Sequence, residues 1–169
     1  MQVPCIDSDG ASTWLNNPAV KEALHVATSP MTWSICSEAL NRGWKRSEFP
    51  QGMPPIYQSL MPHLNIMVYN GDVDPACSYV ANQRCIDGLG APVSEAWRPW
   101  HYNSIPVYDG PPPMSESGGP QTGGWVAKYA SGAKTLTFLT VKGAGHMVPQ
   151  WKPLATHVWL SRWLNGTAI

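Results

Sequence analysis

An almost uninterrupted apolar run at residues 64–69 constrains the fold of this chain more than any other feature. Leu64 to Tyr69 contains one polar residue, Asn65, and is followed by Asn70-Gly71, a dipeptide typical of turns. A run this short and apolar predicts a strand that is buried on both faces, as in sheets covered by helices. We therefore expect an α/β fold in which a mixed sheet is flanked by helices.

A second strand and several helices fit the same architecture. Thr135 to Val141 alternates threonines with apolar residues and predicts a strand. Asn17 before Pro18 predicts a capped helix that ends near Val26. Further helices are predicted over residues 56–61, over 78–89 and from about Pro153 to Gly166, where Thr156, Trp159, Leu160 and Trp163 have helical spacing.

Composition narrows the class of protein. The 169 residues, 43% of them hydrophobic, are enough for about one globular domain with a real core, and we see no repeat and no clear domain boundary. Eleven basic residues balance eleven acidic ones, which disfavours binding to nucleic acid or an anionic membrane. No apolar run approaches the roughly 20 residues of a membrane span, and the first twenty residues do not resemble a signal peptide. We expect any targeting segment to lie outside this chain.

Two stretches rich in proline or polar residues predict loops. Residues 41–55 indicate a polar loop that leads into the helix at 56–61. Residues 106–124 carry four prolines after Pro106 and several glycines, which predicts a long irregular insertion on the surface. We expect no core element inside that insertion.

The four cysteines, Cys5, Cys36, Cys77 and Cys85, show no spacing typical of a zinc site, so we expect neither a metal nor a cofactor. Asn165-Gly166-Thr167 is an acceptor sequence for glycosylation and fits a secretory, oxidising route. On one straight helix the sulfurs at 77 and 85 would be about 12 Å apart, too far for a disulfide. Pairing of these two cysteines would require residue 77 to lie outside the helix.

Each predicted strand ends in a loop with an ionisable residue. Asp72 and Asp74 follow the first strand, and His146 follows the second after glycines at 143 and 145 that permit a sharp turn. In an α/β sheet such loops share one edge, and an Asp before a His is the order of the α/β-hydrolase triad. His146 would accept the proton of a nucleophile, and one of the aspartates would fix its tautomer. A loop histidine bonded to backbone and a turn aspartate remain the alternatives.

Two longer runs resemble a known family. Tyr69 to Asp74 with Cys77, and Lys142 to Pro149 with Lys152-Pro153-Leu154, resemble the C-terminal part of the serine carboxypeptidases, whose lysosomal members look closest. Further support comes from Pro4-Cys5, Leu15-Asn16-Asn17-Pro18, Arg98-Pro99-Trp100 and Phe138-Leu139. The similarity covers most of the chain outside about 106–124. It implies the C-terminal portion of an α/β-hydrolase fold, about the last third of an enzyme of the lysosome, the vacuole or the secretory route.

The resemblance also implies roles for individual residues. It makes Asp74 the triad acid and His146 the base, with Asp72 in support. Met147 would line the pocket for the leaving residue, and Cys77 would be an unpaired thiol near the substrate. Two further cysteines, Cys5 and Cys36, would bridge to the N-terminal part of the enzyme, whereas Cys85 matches no family position.

The nucleophile motif of the family, G-E-S-Y-G-G, is missing. Its nearest imitation, Ser115-Glu116-Ser117-Gly118-Gly119, lies between prolines and after the aspartate loop, without the strand and helix that a nucleophile elbow requires. The resemblance therefore implies a partner, an N-terminal large chain that carries the serine. The complete enzyme would remove C-terminal residues from peptides through an acyl-enzyme, and the chain alone would be inactive.

Several alternatives remain open at this point. The chain could be the natural small chain of a cleaved enzyme or a truncated product, and the complete enzyme could form a homodimer. Acyltransferases and hydroxynitrile lyases of the same fold keep similar C-terminal motifs. A fragment without enzymatic activity that acts by binding is a third reading, for which the sequence has no positive motif.

Overall fold

The chain divides into two compact units, residues 1–50 and 51–169. The computed structural model describes residues 8–26, 31–44, 52–104 and 118–169. The sequence predicted no clear domain boundary, and the division falls within the polar stretch at 41–55. Among the described residues, no helix has the length and apolar character needed to cross a bilayer.

The first unit contains three short helices. These are α1 (Asp9–Leu15), α2 (Pro18–Ala23) and α3 (Glu38–Gly43). Helix α2 begins as predicted, because Oδ1 of Asn17 accepts a hydrogen bond from the Ala19 amide at 2.9 Å. It ends before the predicted Val26, and α3 overlaps the predicted polar loop. None of the three helices contains a buried residue.

The second unit is a four-stranded mixed sheet with flanking helices. Its strands are β1 (Ile66–Gly71), β2 (Val93–Ser104), β3 (Gly119–Ser131) and β4 (Lys134–Val141). Their order is β1-β4-β3-β2, with β1 parallel to β4 and the other pairs antiparallel. Its helices are α4 (Pro54–Leu60), α5 (Tyr79–Asp87), α6 (Val148–Trp151) and α7 (Pro153–Leu164). The predicted α/β class is confirmed, as are the strands at 64–69 and 135–141 and the helices at 56–61, 78–89 and 153–166, with small shifts of their ends.

The sheet has an apolar core on each face. Strand β4 is buried from Leu136 to Val141, and its alternate side chains supply both cores. One core includes Leu139 of β4 and Trp159 of α7. The other includes Phe138 of β4 and Ile86 of α5. Leu160, predicted on the packed stripe of the last helix, is 38% exposed.

Strands β2 and β3 were not predicted, and the predicted insertion at 106–124 is wrong for its last six residues. Strand β3 begins at Gly119, and Gly123 and Gly124 are buried within it. A Cβ on Gly123 would lie 2.3 Å from the Trp100 ring, and one on Gly124 would lie 1.9 Å from the Thr140 carbonyl. These glycines therefore permit close packing inside the sheet, not an irregular loop. Residues 105–117 lie outside the described residues.

Strand β1 is less buried than predicted. Its first three residues are half-buried and Tyr69 is 41% exposed. In the part of the chain that the structure describes, β1 pairs with β4 and has no second neighbouring strand. The prediction of burial on both faces is wrong for this strand. Among the described residues β1 is an edge strand, and no other strand lies along its free edge to shield its side chains.

Candidate active site

The loop after β1 is held by hydrogen bonds made by side chains of the strand, of helix α5 and of the loop itself. Asn70, at the end of the strand, is buried and donates from Nδ2 to the Cys77 carbonyl at 3.0 Å. Its Oδ1 accepts a hydrogen bond from Asn82 of α5 at 2.9 Å. Within the loop, Oδ1 of Asp74 accepts from the Ala76 amide at 2.8 Å. The strand end and helix α5 thus hold the end of the loop, and the loop backbone holds the Asp74 carboxylate. We refer to residues 71–77 as the acid loop.

The loop after β4 turns sharply at one glycine. Gly143 has φ +68°, a conformation that disfavours residues with a side chain. Ala144 follows and is fully buried, and α6 begins at Val148, two residues after His146. Gly145, which the sequence also predicted to be needed for the turn, does not have a positive φ, so that part of the prediction is wrong. We refer to residues 142–147 as the histidine loop.

The two loops are in direct contact. The Asp72 amide donates to the Val141 carbonyl at 3.1 Å, and the Val73 amide donates to the Ala144 carbonyl at 3.2 Å. Oδ1 of Asp72 accepts from the Gly143 amide at 2.6 Å. The Asp72 carboxylate therefore links the two loops, and the carboxylate that contacts His146 is that of Asp74. A Cβ on Gly71 would lie 2.1 Å from the Ala144 carbonyl oxygen, so the approach requires glycine.

Asp74 and His146 form a hydrogen-bonded pair across this contact. Nδ1 of His146 lies 2.9 Å from Oδ2 of Asp74. The Asp74 side chain is 3% exposed and the His146 side chain is 64% exposed. The hydrogen bond with His146 lowers the pKa of Asp74 below its ordinary value of 3.8, burial opposes this, and the Ala76 and Cys77 amides add to the lowering. An ionised carboxylate bound to Nδ1 leaves Nε2 of the imidazole as the nitrogen that can exchange a proton.

Two further predicted site residues lie beside this pair. Met147 follows the histidine directly and is 45% exposed. Cys77 lies before α5 and is an exposed free thiol. It is outside the helix, yet both it and Cys85 are free, so the structure contains no disulfide between them.

The remaining predicted residues make no hydrogen bond or ion pair with Asp74 or His146 in the part of the chain that the structure describes, or they lie outside that part. Cys36 is exposed and free in the first unit, and Cys5 lies outside the described residues. Asn165 is exposed at the end of α7, where its Nδ2 donates to the Ser161 carbonyl at 2.9 Å. Ser117 also lies outside the described residues.

The sequence interpretation missed the two asparagines behind the acid loop. A polar residue directly after an apolar run, as Asn70 is, gives a weak signal, since the same position suits a turn. Asn82 has no sequence signal at all because it reaches Asn70 only after α5 folds back on the sheet.

Three side chains that can bind metals also meet here. Asp74, Cys77 and His146 each have a ligand atom within 4.8 Å of the others. The search for zinc spacings missed this set because 72 residues separate the aspartate from the histidine.

Known proteins with similar sequences match nearly the whole chain. Residues 1–166 match the family model described as serine carboxypeptidase. The chain is 35% identical over 164 residues to lysosomal protective protein of Mus musculus, covering 96% of the chain and 31% of that protein. It is 31% identical over 166 residues to serine carboxypeptidase-like 32 of Arabidopsis thaliana, covering 96% of the chain and 31% of that protein. It is 32% identical over 169 residues to serine carboxypeptidase 24 of the same plant, covering 98% of the chain and 31% of that protein. The chain thus spans about a third of the length of the curated relatives that it matches.

Proposed function

The chain belongs to the serine carboxypeptidase family. We propose that it supplies the aspartate and the histidine of a Ser-Asp-His triad. Asp74 is the acid and His146 is the base. The 2.9 Å contact between Oδ2 of Asp74 and Nδ1 of His146 is the observation that carries this proposal. The burial of the carboxylate and the exposure of the imidazole support it, because the base must reach a nucleophile and a substrate.

The proposed reaction is the removal of single residues from peptide C-termini through an acyl-enzyme. Nε2 of His146 accepts the proton of a serine as its oxygen attacks the scissile carbonyl, and then donates this proton to the leaving amine. In the second half it takes a proton from water, which hydrolyses the ester. Asp74 stabilises the imidazolium in both halves. Met147 and Cys77, exposed beside the pair, contact the substrate, and no cofactor takes part.

The serine belongs to a segment outside this chain. The relatives are about three times as long, and in the described residues β1 has no neighbour on its outer side. We propose that an N-terminal large chain pairs there and carries the nucleophile and the oxyanion hole. Cys5 and Cys36 bridge to it, and Cys36 is exposed and free as this requires. The isolated chain is then inactive.

The same proposal places the enzyme in the lysosome, the vacuole or the secretory route. The lowered pKa of Asp74 keeps this carboxylate ionised in mildly acidic surroundings. Asn165 is exposed, as a glycosylation site must be.

The test is peptidase activity of the native protein with all its chains, together with its intact mass with and without reductant. We expect release of a larger polypeptide that carries a G-x-S-x-G motif. His146→Ala should lower kcat by several orders of magnitude, on the order of 10⁴-fold. The control is His157→Ala, which changes an exposed histidine of α7 and should leave turnover unchanged. Near-normal turnover of His146→Ala, or robust hydrolysis by the pure 169-residue chain, contradicts the proposal.

A further inference from the structure

The group formed by Asp74, Cys77 and His146 has the composition of a zinc site. It offers a carboxylate oxygen, a thiol sulfur and an imidazole nitrogen, which are the three atom types that zinc prefers in proteins. These ligand atoms lie within 4.8 Å of one another. Tetrahedral zinc with bonds of 2.0–2.3 Å needs ligands roughly 3.3–3.8 Å apart, so a contraction of about 1 Å completes the geometry.

The difference in exposure between these three side chains permits that contraction. The Asp74 side chain is 3% exposed and is held by the Ala76 amide, so it provides a fixed ligand. Cys77 is exposed and His146 is 64% exposed, so both side chains can rotate toward an incoming ion. The backbone of Cys77 is nevertheless fixed, because Asn70 binds its carbonyl at 3.0 Å. One rigid ligand and two adjustable ones form a site that an ion can enter from solvent.

We propose that Asp74, Cys77 and His146 bind Zn²⁺ as a three-ligand site whose fourth position takes water. The ion takes one carboxylate oxygen and the lone pair of one ring nitrogen, and the imidazole stays neutral with its proton on the other ring nitrogen. The Cys77 thiol releases one proton to the solvent and binds as thiolate. The ion therefore uses the two groups of the hydrogen-bonded pair and a thiol that the pair does not need.

One consequence of this site rests on the proposed function. If Asp74 and His146 work as a triad acid and base, bound Zn²⁺ holds the imidazole and prevents it from exchanging a proton with serine. Zinc is then a reversible inhibitor of the hydrolase, and removal of the Cys77 sulfur relieves the inhibition. Binding itself does not depend on the reaction, so the two ideas can fail separately.

The binding test uses Co²⁺ as a spectroscopic substitute for zinc. The native protein with all its chains, kept free of disulfide reductant because Cys77 is already a free thiol, is freed of metal and titrated with cobalt chloride. We expect a near-ultraviolet band of thiolate-to-cobalt charge transfer, together with intense visible bands of tetrahedral cobalt, all removed by zinc sulfate. Cys77→Ser and Cys77→Ala should lose the charge-transfer band and bind zinc at least about tenfold more weakly. The matched control, Cys85→Ser on α5, should keep both properties.

Each outcome decides one of the two ideas. A folded wild-type protein without the cobalt band, or a band that survives in both Cys77 variants, overturns the zinc site. Circular dichroism of each variant shows that a lost band does not reflect unfolding. A cobalt band in a protein that hydrolyses no peptide leaves the zinc site standing and contradicts the proposed function. Peptide hydrolysis by a protein that shows no cobalt band supports the proposed function and overturns the zinc site.

Discussion

The acid loop and the histidine loop meet at one sheet edge but differ in how they hold their functional side chains. The Asp74 side chain is 3% exposed and accepts hydrogen bonds on both carboxylate oxygens. The His146 side chain is 64% exposed, and Met147 beside it is 45% exposed as a residue. The acid is therefore buried and held on both oxygens by residues of this chain. Among the described residues, the histidine ring is held at Nδ1 by Asp74, and most of its side chain is open to solvent.

Among substitutions in the two loops other than at His146, loss of the Asp74 charge should have the largest effect on activity. In Asp74→Asn the amide can favour the wrong tautomer of His146 while the fold is kept. We expect kcat of the complete enzyme to fall on the order of 10³–10⁴-fold, with a much smaller change in KM. Steady-state kinetics on a blocked dipeptide measures this. A loss below tenfold would mean that the buried carboxylate is structural.

The contact between the loops is tested by Gly71→Ala. The new methyl group would lie 2.1 Å from the backbone oxygen of Ala144, and a backbone atom cannot move aside as a side chain can. We expect a loss of about 3 kcal/mol or more in the free energy of unfolding, measured by urea denaturation. The control is Gly90→Ala, which has φ +74° but no atom within 4 Å and should cost about 1 kcal/mol. Equal losses in the two variants would contradict the tight contact.

Asp72→Asn sharpens the distinction between the two aspartates. The carboxylate of Asp72 accepts from the Gly143 amide at 2.6 Å and does not contact His146 in the hydrogen bonds described above. A neutral amide accepts more weakly, so we expect a loss of about 1–2 kcal/mol in the free energy of unfolding. The value of kcat should stay within about tenfold of the wild type. A loss of activity as large as that of Asp74→Asn would mean that the roles are wrongly divided.

The smallest effect is expected far from the site, at the hydrogen bond between Tyr129 of β3 and Asp87 of α5, 2.7 Å long. Burial, then the hydrogen bond with Asp87 and its charge, raise the pKa of Tyr129 from 10.0 to about 12. The folded state therefore keeps the phenol proton longer than the unfolded state, and this stabilisation is present below pH 10 and lost between pH 10 and about 12. We expect Tyr129→Phe to cost about 1 kcal/mol at neutral pH and to remove this alkaline loss. Urea denaturation as a function of pH measures both, and an unchanged alkaline profile would contradict the assignment.

The sequence predicted those parts of the fold that rest on local patterns. Apolar runs gave β1 and β4, and the Asn17-Pro18 pair gave the start of α2. Strands β2 and β3 were missed because Pro99 and the glycines at 123 and 124 indicate a loop when taken alone. Pro99 is tolerated since β2 is an edge strand in the described sheet, and the glycines are explained only by the Trp100 ring and the Thr140 carbonyl that they contact.

In the candidate site, too, local patterns were predictable and long-range contacts were not. The order of the aspartate and histidine loops, together with the family resemblance, was enough to predict that Asp74 and His146 meet. The support from Asn70 and Asn82 could not be predicted, because hydrogen bonds between a strand end and a helix leave no regular spacing. The resemblance placed Cys77 near the substrate, but its joining Asp74 and His146 as a set of three possible metal ligands was not predicted, since that depends on how the acid loop is folded.

The parallel pairing of β1 with β4 has a consequence for folding kinetics. Strands β3 and β4 are joined by a short turn and can pair early, whereas Ile66 of β1 must find Leu136 of β4 across seventy positions of chain. Closing so long a loop is slow, so the sheet edge that carries both functional loops is completed late. We therefore expect the contact between Asp74 and His146 to be one of the last to form during refolding, so that its appearance would report that this edge of the sheet has closed.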